Sequence, residues 1–438
     1  MVIAGGKAAT IGDGVTITAK SDGKRGVTVS GGGQLTIGSA TVSTEGTSGF
    51  GLYATGAGSS ITATGTQIET KATGAARAQA VVVNSGASIT LKNVTISTVS
   101  GNGHGIWIKD AGSSVTMDAS TSISTTGASA YGVLVENGAT ETFTGGSTTT
   151  ALPGTVSILG DNSAAFGTYG TDAKITFDGI NFATASAITL GANAWTVIAG
   201  NNGAVEFKGT TAATDTRLLA QASGTLSFTG AATAAGARVK TDGANSAFDI
   251  SGSTRTTDFS IGSLEGTTGK VVLGANMLTI DGSASTSYGG IISGTGGLTR
   301  AGTGTITLTG ANTYSGGTTL KGGVLSVAAD SALGATTGGL TFNGGTLQIT
   351  GTTYTSTARG ITWGAGGGTL DINAAGNTFT VAQNLGAGGA LTKIGAGTLV
   401  LSGTNQYTGG TSINGGTLVL VWQQWLLCRH AGPAYLVR

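Results

Sequence analysis

Of the 438 residues 81 are Gly and 2 are Pro, only 9% are charged, and the formal net charge is +1. Such a chain has no strong electrostatic pull toward nucleic acid or an anionic membrane, and disordered chains are instead charged and Pro-rich. The single Cys excludes a disulfide framework and a Cys-based metal site, and no run of about 18 apolar residues marks a membrane-spanning helix.

β-Branched residues alternate with Ser, Thr and Gly along most of the chain, which predicts many short strands separated by Gly turns. The opening, MVIAGGKAATIGDG, lacks the basic-then-apolar layout of a secretory signal. From there a unit recurs. Gly26 precedes Val-Thr-Val, Gly51 precedes Leu-Tyr-Ala, Ala80 precedes Val-Val-Val, Gly105 precedes Ile-Trp-Ile and Gly132 precedes Val-Leu-Val, at spacings of 25 to 29 residues. A second triplet follows each: Leu35-Thr36-Ile37, Ile61-Thr62-Ala63, Ile89-Thr90-Leu91 and Val115-Thr116-Met117. A third stretch carries Val42, Ile68, Ile96 or Ile123, each followed two residues later by Thr44, Thr70, Thr98 or Thr125.

Three short strands per repeat with Gly-rich corners describe one coil of a parallel β-helix, a solenoid of roughly 25-residue coils. Period-two alternation turns the flanks of the second triplet inward and its Thr outward. Stacking then aligns Thr36, Thr62, Thr90 and Thr116 in one outward column. About 16 coils and a length of about 75 Å follow from a rise of about 4.8 Å per coil. A β-sandwich is the alternative architecture, but its strands differ in length and order.

Residues 1–150 read as regular coils and 151–259 as looser ones, with GAVEFKG, GTLSFTG and SAFDISG keeping the rhythm. The stretch 260–420 is sharper. LTRAGTGTITLTGANTYSGGTTLKGGVL (298–325) and LTKIGAGTLVLSGTNQYTGGTSINGGTL (391–418) share 15 of 28 positions. Their common frame is Gly302/Gly395, Gly304/Gly397, Asn312/Asn405, Tyr314/Tyr407, Gly316/Gly409 and Gly317/Gly410.

This frame resembles the autotransporter-associated β-strand repeat of bacterial passenger regions. The resemblance covers 260–420 and implies a right-handed parallel β-helix, an outer-membrane, surface or secreted location in a Gram-negative bacterium, and an adhesin-like role without catalytic residues. No translocator barrel is read in the chain, so membrane insertion by these residues is not expected.

The tail 421–438 breaks the pattern. It holds two Trp, the only Cys and one His. Read one nucleotide later, the codons of Val421-Trp422-Gln423-Gln424-Trp425 give Gly with Asn or Ser. The tail is therefore expected to be a shifted frame, which makes Cys428 and His430 accidental. A genuine solenoid cap is the alternative.

Chemistry is sparse. His104 is the one His outside the tail and reads as a solvent-exposed turn residue. No Gly-x-Ser-x-Gly elbow accompanies it. Asp110, Asp118, Asp172 and Asp178 are the nearest thing to an acid grouping for a polysaccharide-degrading enzyme, yet Asp110 shares a corner with Ser85 and Asn137, which is turn chemistry. Lys109 and Glu136 read as an exposed pair in adjacent coils. No catalytic residue, metal or cofactor is expected. The middle residues of the first triplets, Thr28, Tyr53, Val82, Trp107 and Leu134, should face outward. Tyr53, Val82, Trp107 and Leu134 would then form an exposed apolar stripe for a host surface protein, a glycan or a sibling passenger. Adhesion is the expected function, with a β-helical enzyme and a purely structural spacer as alternatives.

Overall fold

The computed structural model describes residues 1–73, 77–145 and 152–421, so the expectation for 422–438 lies outside the described residues. The chain divides into two compact units. Unit 1 is Met1–Ala234 with Asn245–Ala247, and unit 2 is Ala235–Ala244 with Phe248–Arg438.

Unit 1 is a parallel β-helix. Its first face stacks Arg25–Ser30, Phe50–Thr55, Gln79–Asn84, Ile106–Lys109, Tyr131–Glu136, Ala164–Tyr169, Trp195–Gly200 and Arg217–Gln221, every adjacent pair parallel and in register. Parallel pairing throughout removes the sandwich alternative, which is built from antiparallel strands. Corresponding residues on this face lie 25, 29, 25, 27, 33, 31 and 21 positions apart from Val27 to Leu218.

Inward positions hold aliphatic residues, and Val27, Val29, Leu52, Val81, Val83, Ile106 and Ile108 are fully buried. Gly51 lets the first and third faces approach. A Cβ there would stand 2.7 Å from Cγ2 of Ile68. On the second face Thr10, Thr36, Thr62, Thr90 and Thr116 align as one column, and Thr116 Oγ1 donates to Thr90 Oγ1 at 3.0 Å. On the third face Thr44, Thr70, Thr98 and Thr125 point inward and are buried. Thr98 donates to the Gly103 carbonyl at 2.7 Å.

The second face is rebuilt part-way along. A five-stranded sheet ends with Ser114–Met117, and the strand one coil later, Thr140–Thr144, starts a new sheet with Lys174–Asp178, Ala204–Lys208 and Thr225–Phe228. The new sheet turns a ladder of rings inward. Phe143, Phe177, Phe207 and Phe228 follow one another in register, with centroids 5.6, 5.4 and 4.4 Å apart and near-parallel planes. Coil spacing is close to the separation at which offset rings attract, so an in-register Phe column stacks without strain.

Glu141 sits at the break. It points inward, is 7% exposed, and its Oε2 accepts the Val115 N–H at 3.2 Å. That amide lies on the edge the ending sheet leaves open. Burial pushes the Glu141 carboxyl up to about 7, against the lowering effect of hydrogen bonds from the Val115 and Thr142 backbone. A folded value above the unfolded one means the native state holds its proton longer. This contribution to stability is therefore complete below about pH 4.5 and lost as pH rises to about 7. Glu141→Gln keeps an acceptor for Val115 and carries no charge. It should make unit 1 more stable than the parent at pH 8 by about 1–3 kcal/mol and no more stable at pH 4. Guanidinium unfolding at the two pH values checks this, and equal pH dependence in both proteins would contradict it.

Unit 2 also stacks parallel strands, in shorter coils than the 25 residues expected. Leu278, Leu298, Thr318, Leu340 and Ile361 are successive register partners, 20, 20, 22 and 21 residues apart. The two similar stretches occupy different faces. Leu298–Arg300 pairs with Leu278–Ile280 and Thr318–Leu320, whereas Leu391–Ile394 joins the sheet that also holds Thr305–Leu308. An additional strand's worth of chain between Ile361 and Leu391 shifts the phase by one face.

Candidate functional site

The outward column of unit 1 forms as expected. Thr28, Tyr53, Val82, Trp107 and Leu134 are successive register partners, and Gly167, Ile198 and Leu219 continue the line. A second outward column runs beside it, with Arg25, Phe50 and Gln79 in register at one end and Tyr131, Ala164 and Trp195 at the other. Sequence reasoning missed this second column because Gly26 and Gly51 face inward next to inward Val27 and Leu52. That doubling breaks the simple alternation.

The stripe is not uniformly exposed, which corrects the expectation. Tyr53 and Trp107 are partly exposed, but Val82 is 2% and Leu134 5% exposed. Cations cover the rings in turn. The Arg25 guanidinium lies 3.7 Å from the Tyr53 centroid and 5.4 Å from that of Phe50, and Lys109 Nζ lies 4.4 Å from Trp107. Further along, Ala164, Trp195, Ile198 and Leu219 cluster with Tyr131 packed against them. The Tyr131 ring lies over Gly167, where a Cβ would come within 2.3 Å of it.

Lys109 and Glu136 are register partners, yet each engages Trp107 instead of forming the expected pair. Glu136 Oε2 accepts the Trp107 indole N–H at 2.6 Å, and Lys109 stacks on the ring. His104 is likewise no exposed turn residue. It is 8% exposed, between Trp107 and Tyr131 with ring centroids at 5.9 and 5.4 Å. Its Nδ1 accepts the Tyr131 N–H at 3.1 Å. Burial, with the charge of Arg77 added, pushes the imidazole down to about 3. The ring is neutral at physiological pH and serves as packing and acceptor.

The four acids do not converge. Asp110 takes φ +64° at the corner after the first face, a position held in neighbouring coils by Ser85 and Asn137, both also at positive φ. Short polar residues tolerate that conformation best after Gly. Asp172 is another positive-φ corner residue. Asp118 accepts the Asn93 and Ser120 amides at 3.0 and 3.1 Å, and Asp178 meets Lys208 at 3.9 Å. Among the described residues no three His, Cys, Asp or Glu side chains group as metal ligands, and no helix is long and apolar enough to cross a membrane.

In unit 2 the repeat frame is structural. Asn312 accepts the Ile292 N–H at 2.8 Å and donates to the Ala332 carbonyl at 2.6 Å, clamping the coils before and after its own. Asn405 accepts from Leu385 at 3.0 Å in the second copy. The Tyr314 hydroxyl meets Thr318 at 2.7 Å and the Tyr407 hydroxyl meets Thr411 at 2.6 Å. Gly316 and Gly409 have neighbouring backbone where a Cβ would stand, at 2.6 and 2.2 Å, and Gly317 and Gly410 take φ of +84° and +80°. Gly302, Gly304 and Gly397 lie equally close to the preceding coil, and Gly395 has both a close neighbour and positive φ.

The same frame hides two cations that sequence reasoning passed over. Arg300 is 1% exposed and donates to the carbonyls of Ile280, Gly282 and Gly304. Lys393, at the matching place, is fully buried and donates to the carbonyls of Ile394, Gly395 and Gly415 at 2.6–3.1 Å. A basic residue recurring at one position of a charge-poor chain was the available signal.

Coils of this kind, with a twice-repeated Asn, Tyr and Gly-Gly frame, define a parallel β-solenoid that carries a passenger-type repeat. Residues 298–327 and 391–420 match the family model of the passenger-associated-transport-repeat, so the chain carries autotransporter passenger repeats. The Adhesin BmaC autotransporter of Brucella suis biovar 1 (strain 1330) is 48% identical over 60 residues, which are 14% of this chain and 2% of that protein. The chain therefore spans a very small part of that relative's length. A solved TibC-catalyzed hyper-glycosylated TibA fragment aligns over 96% of this chain and 97% of its own, at 14% identity and a TM-score of 0.17.

Proposed function

We propose that the chain is a surface-displayed or secreted passenger segment that adheres to host cells, matrix or other bacteria and does no chemistry of its own. The observation that carries this reading is the outer face of unit 1, where Tyr53 and Trp107 stand partly exposed in one column beside Lys109, Glu136 and Arg25. Partly exposed aromatic rings with adjacent charges are the residue types that anchor contacts. A spacer needs only the Thr-lined second face, and the aromatic column favours binding over it. A polysaccharide-degrading enzyme needs converging acids, and the four candidate Asp residues form no cluster of three among the described residues.

The test is attachment of the purified chain to host cells, immobilised matrix and glycan surfaces. Trp107→Ala with Tyr53→Ala should lower attachment about ten-fold or more, as hot-spot truncations do, with the β-sheet circular dichroism unchanged. Full attachment by a folded double variant would overturn the proposal.

A further inference from the structure

A second place, in unit 2, is an open polar cleft. An open cleft of about 470 Å³ is lined by Lys240, Asp242, Glu265, Ser285, Ser287 and Thr309, together with two glycines and two further threonines. That volume falls in the range of small-molecule sites. The floor is firm. Gly266 bridges to Tyr288 in register, and the buried Tyr288 hydroxyl meets Thr241 at 3.3 Å.

The lining says what would enter. No aliphatic or aromatic residue lines the cleft, so it has no large apolar wall to hold a lipid tail or an apolar peptide side chain. Its charges are balanced. Lys240 lies 3.5 Å from Asp242, and Glu265 contacts Arg238. A free anion would meet two carboxylates, and a divalent cation would meet carboxylates already neutralised. What remains is a wall of hydroxyls with two carboxylate acceptors and an ammonium donor. These groups complement a neutral ligand rich in hydroxyls, because each sugar hydroxyl both donates and accepts. We infer that this cleft binds a short neutral oligosaccharide.

Without an aromatic platform the affinity rests on exposed hydrogen bonds, each of which displaces water. The dissociation constant should therefore be about millimolar. All of its lining residues belong to unit 2, and none belongs to the aromatic column of unit 1.

Saturation-transfer NMR on the full chain tests this, with lactose and maltotriose as neutral probes and sialyllactose and inorganic phosphate as anionic ones. Saturable binding of at least one neutral probe is expected, weakened about five-fold or more by Asp242→Ala and by Ser287→Ala and left unchanged by Trp107→Ala. Ser287 is exposed, so its variant keeps the test decisive if Asp242→Ala does not fold. Three results would overturn the inference. One is no saturable binding of either neutral probe up to about 50 mM. Another is neutral binding that both cleft variants leave intact. The third is a preference for the anionic probes. Loss of attachment in the unit 1 variants with sugar binding retained would leave this inference standing, which separates the two failures.

Discussion

Phe177→Ala should lower the stability of unit 1 by about 3–5 kcal/mol, the range for emptying a buried aromatic site. Phe177 is fully buried and touches four rings, with centroids at 5.6 Å from Phe143, 5.4 Å from Phe166, 4.9 Å from Phe182 and 5.4 Å from Phe207. Its neighbours are fixed by the coils that carry them, so the cavity cannot close by a simple shift. A solenoid need not unfold as one two-state body. Amide hydrogen exchange is therefore the suitable measurement. Protection should fall most on Lys174–Asp178 and the strands that pair with it, Thr140–Thr144 and Ala204–Lys208. Exchange rates in those strands equal to the parent's would show that the ladder adds little. Phe177→Leu, which refills part of the space, should recover a large share of the loss.

Asp330→Ala should cost unit 2 about 3–5 kcal/mol, because it leaves a buried guanidinium without its counter-charge. The Arg359 side chain is 1% exposed. Its Nε and one terminal nitrogen hold the Asp330 carboxylate at 2.8 and 2.9 Å. The same terminal nitrogen also donates to the Gly334 carbonyl at 2.8 Å, and the other donates to the carbonyls of Leu333, Ala335 and Gly338 at 2.7–3.1 Å. Tyr354 adds a hydrogen bond to Asp330 at 2.9 Å. Burial pushes the Asp330 carboxyl up, but the hydrogen bonds from Arg359 and Tyr354 more than offset it, and the net shift is downward. The sign follows. A depressed folded value gives stability that is present above the ordinary value of 3.8 and is lost as pH falls through the lower folded value. Thermal unfolding from pH 7 to pH 2.5 should show this acid loss in the parent and a weaker one in the variant. A variant as stable as the parent at pH 7 would show that the carbonyls alone hold Arg359. Replacing both partners, as in Asp330→Ala with Arg359→Met, should be milder than Asp330→Ala alone.

Much of the candidate site was legible in the sequence, and the misses have a common cause. The column of Tyr53, Val82, Trp107 and Leu134 came from period-two alternation and the Gly-anchored triplets, and the registers agree. The exposure of that column did not follow, because Val82 and Leu134 are buried although they share it with the partly exposed Tyr53 and Trp107. His104 looked like a turn residue from its Gly and Asn neighbours. Its burial depends on Tyr131, 27 positions later. Lys109 and Glu136 were correctly placed side by side, but Trp107 takes both.

The sequence by itself determined the coil, the parallel stacking, the outward Thr column and the positive-φ corners. Each depends on local backbone preference and on which neighbour along the strand is apolar. Only the tertiary structure decided where the second face is rebuilt at Glu141, how the two repeats come to lie on different faces, and how Arg300, Lys393 and Arg359 are buried. Those outcomes depend on side chains and carbonyls some 20 to 30 residues apart meeting across one coil step. The local pattern sets that such meetings occur. Corner lengths set which residues meet.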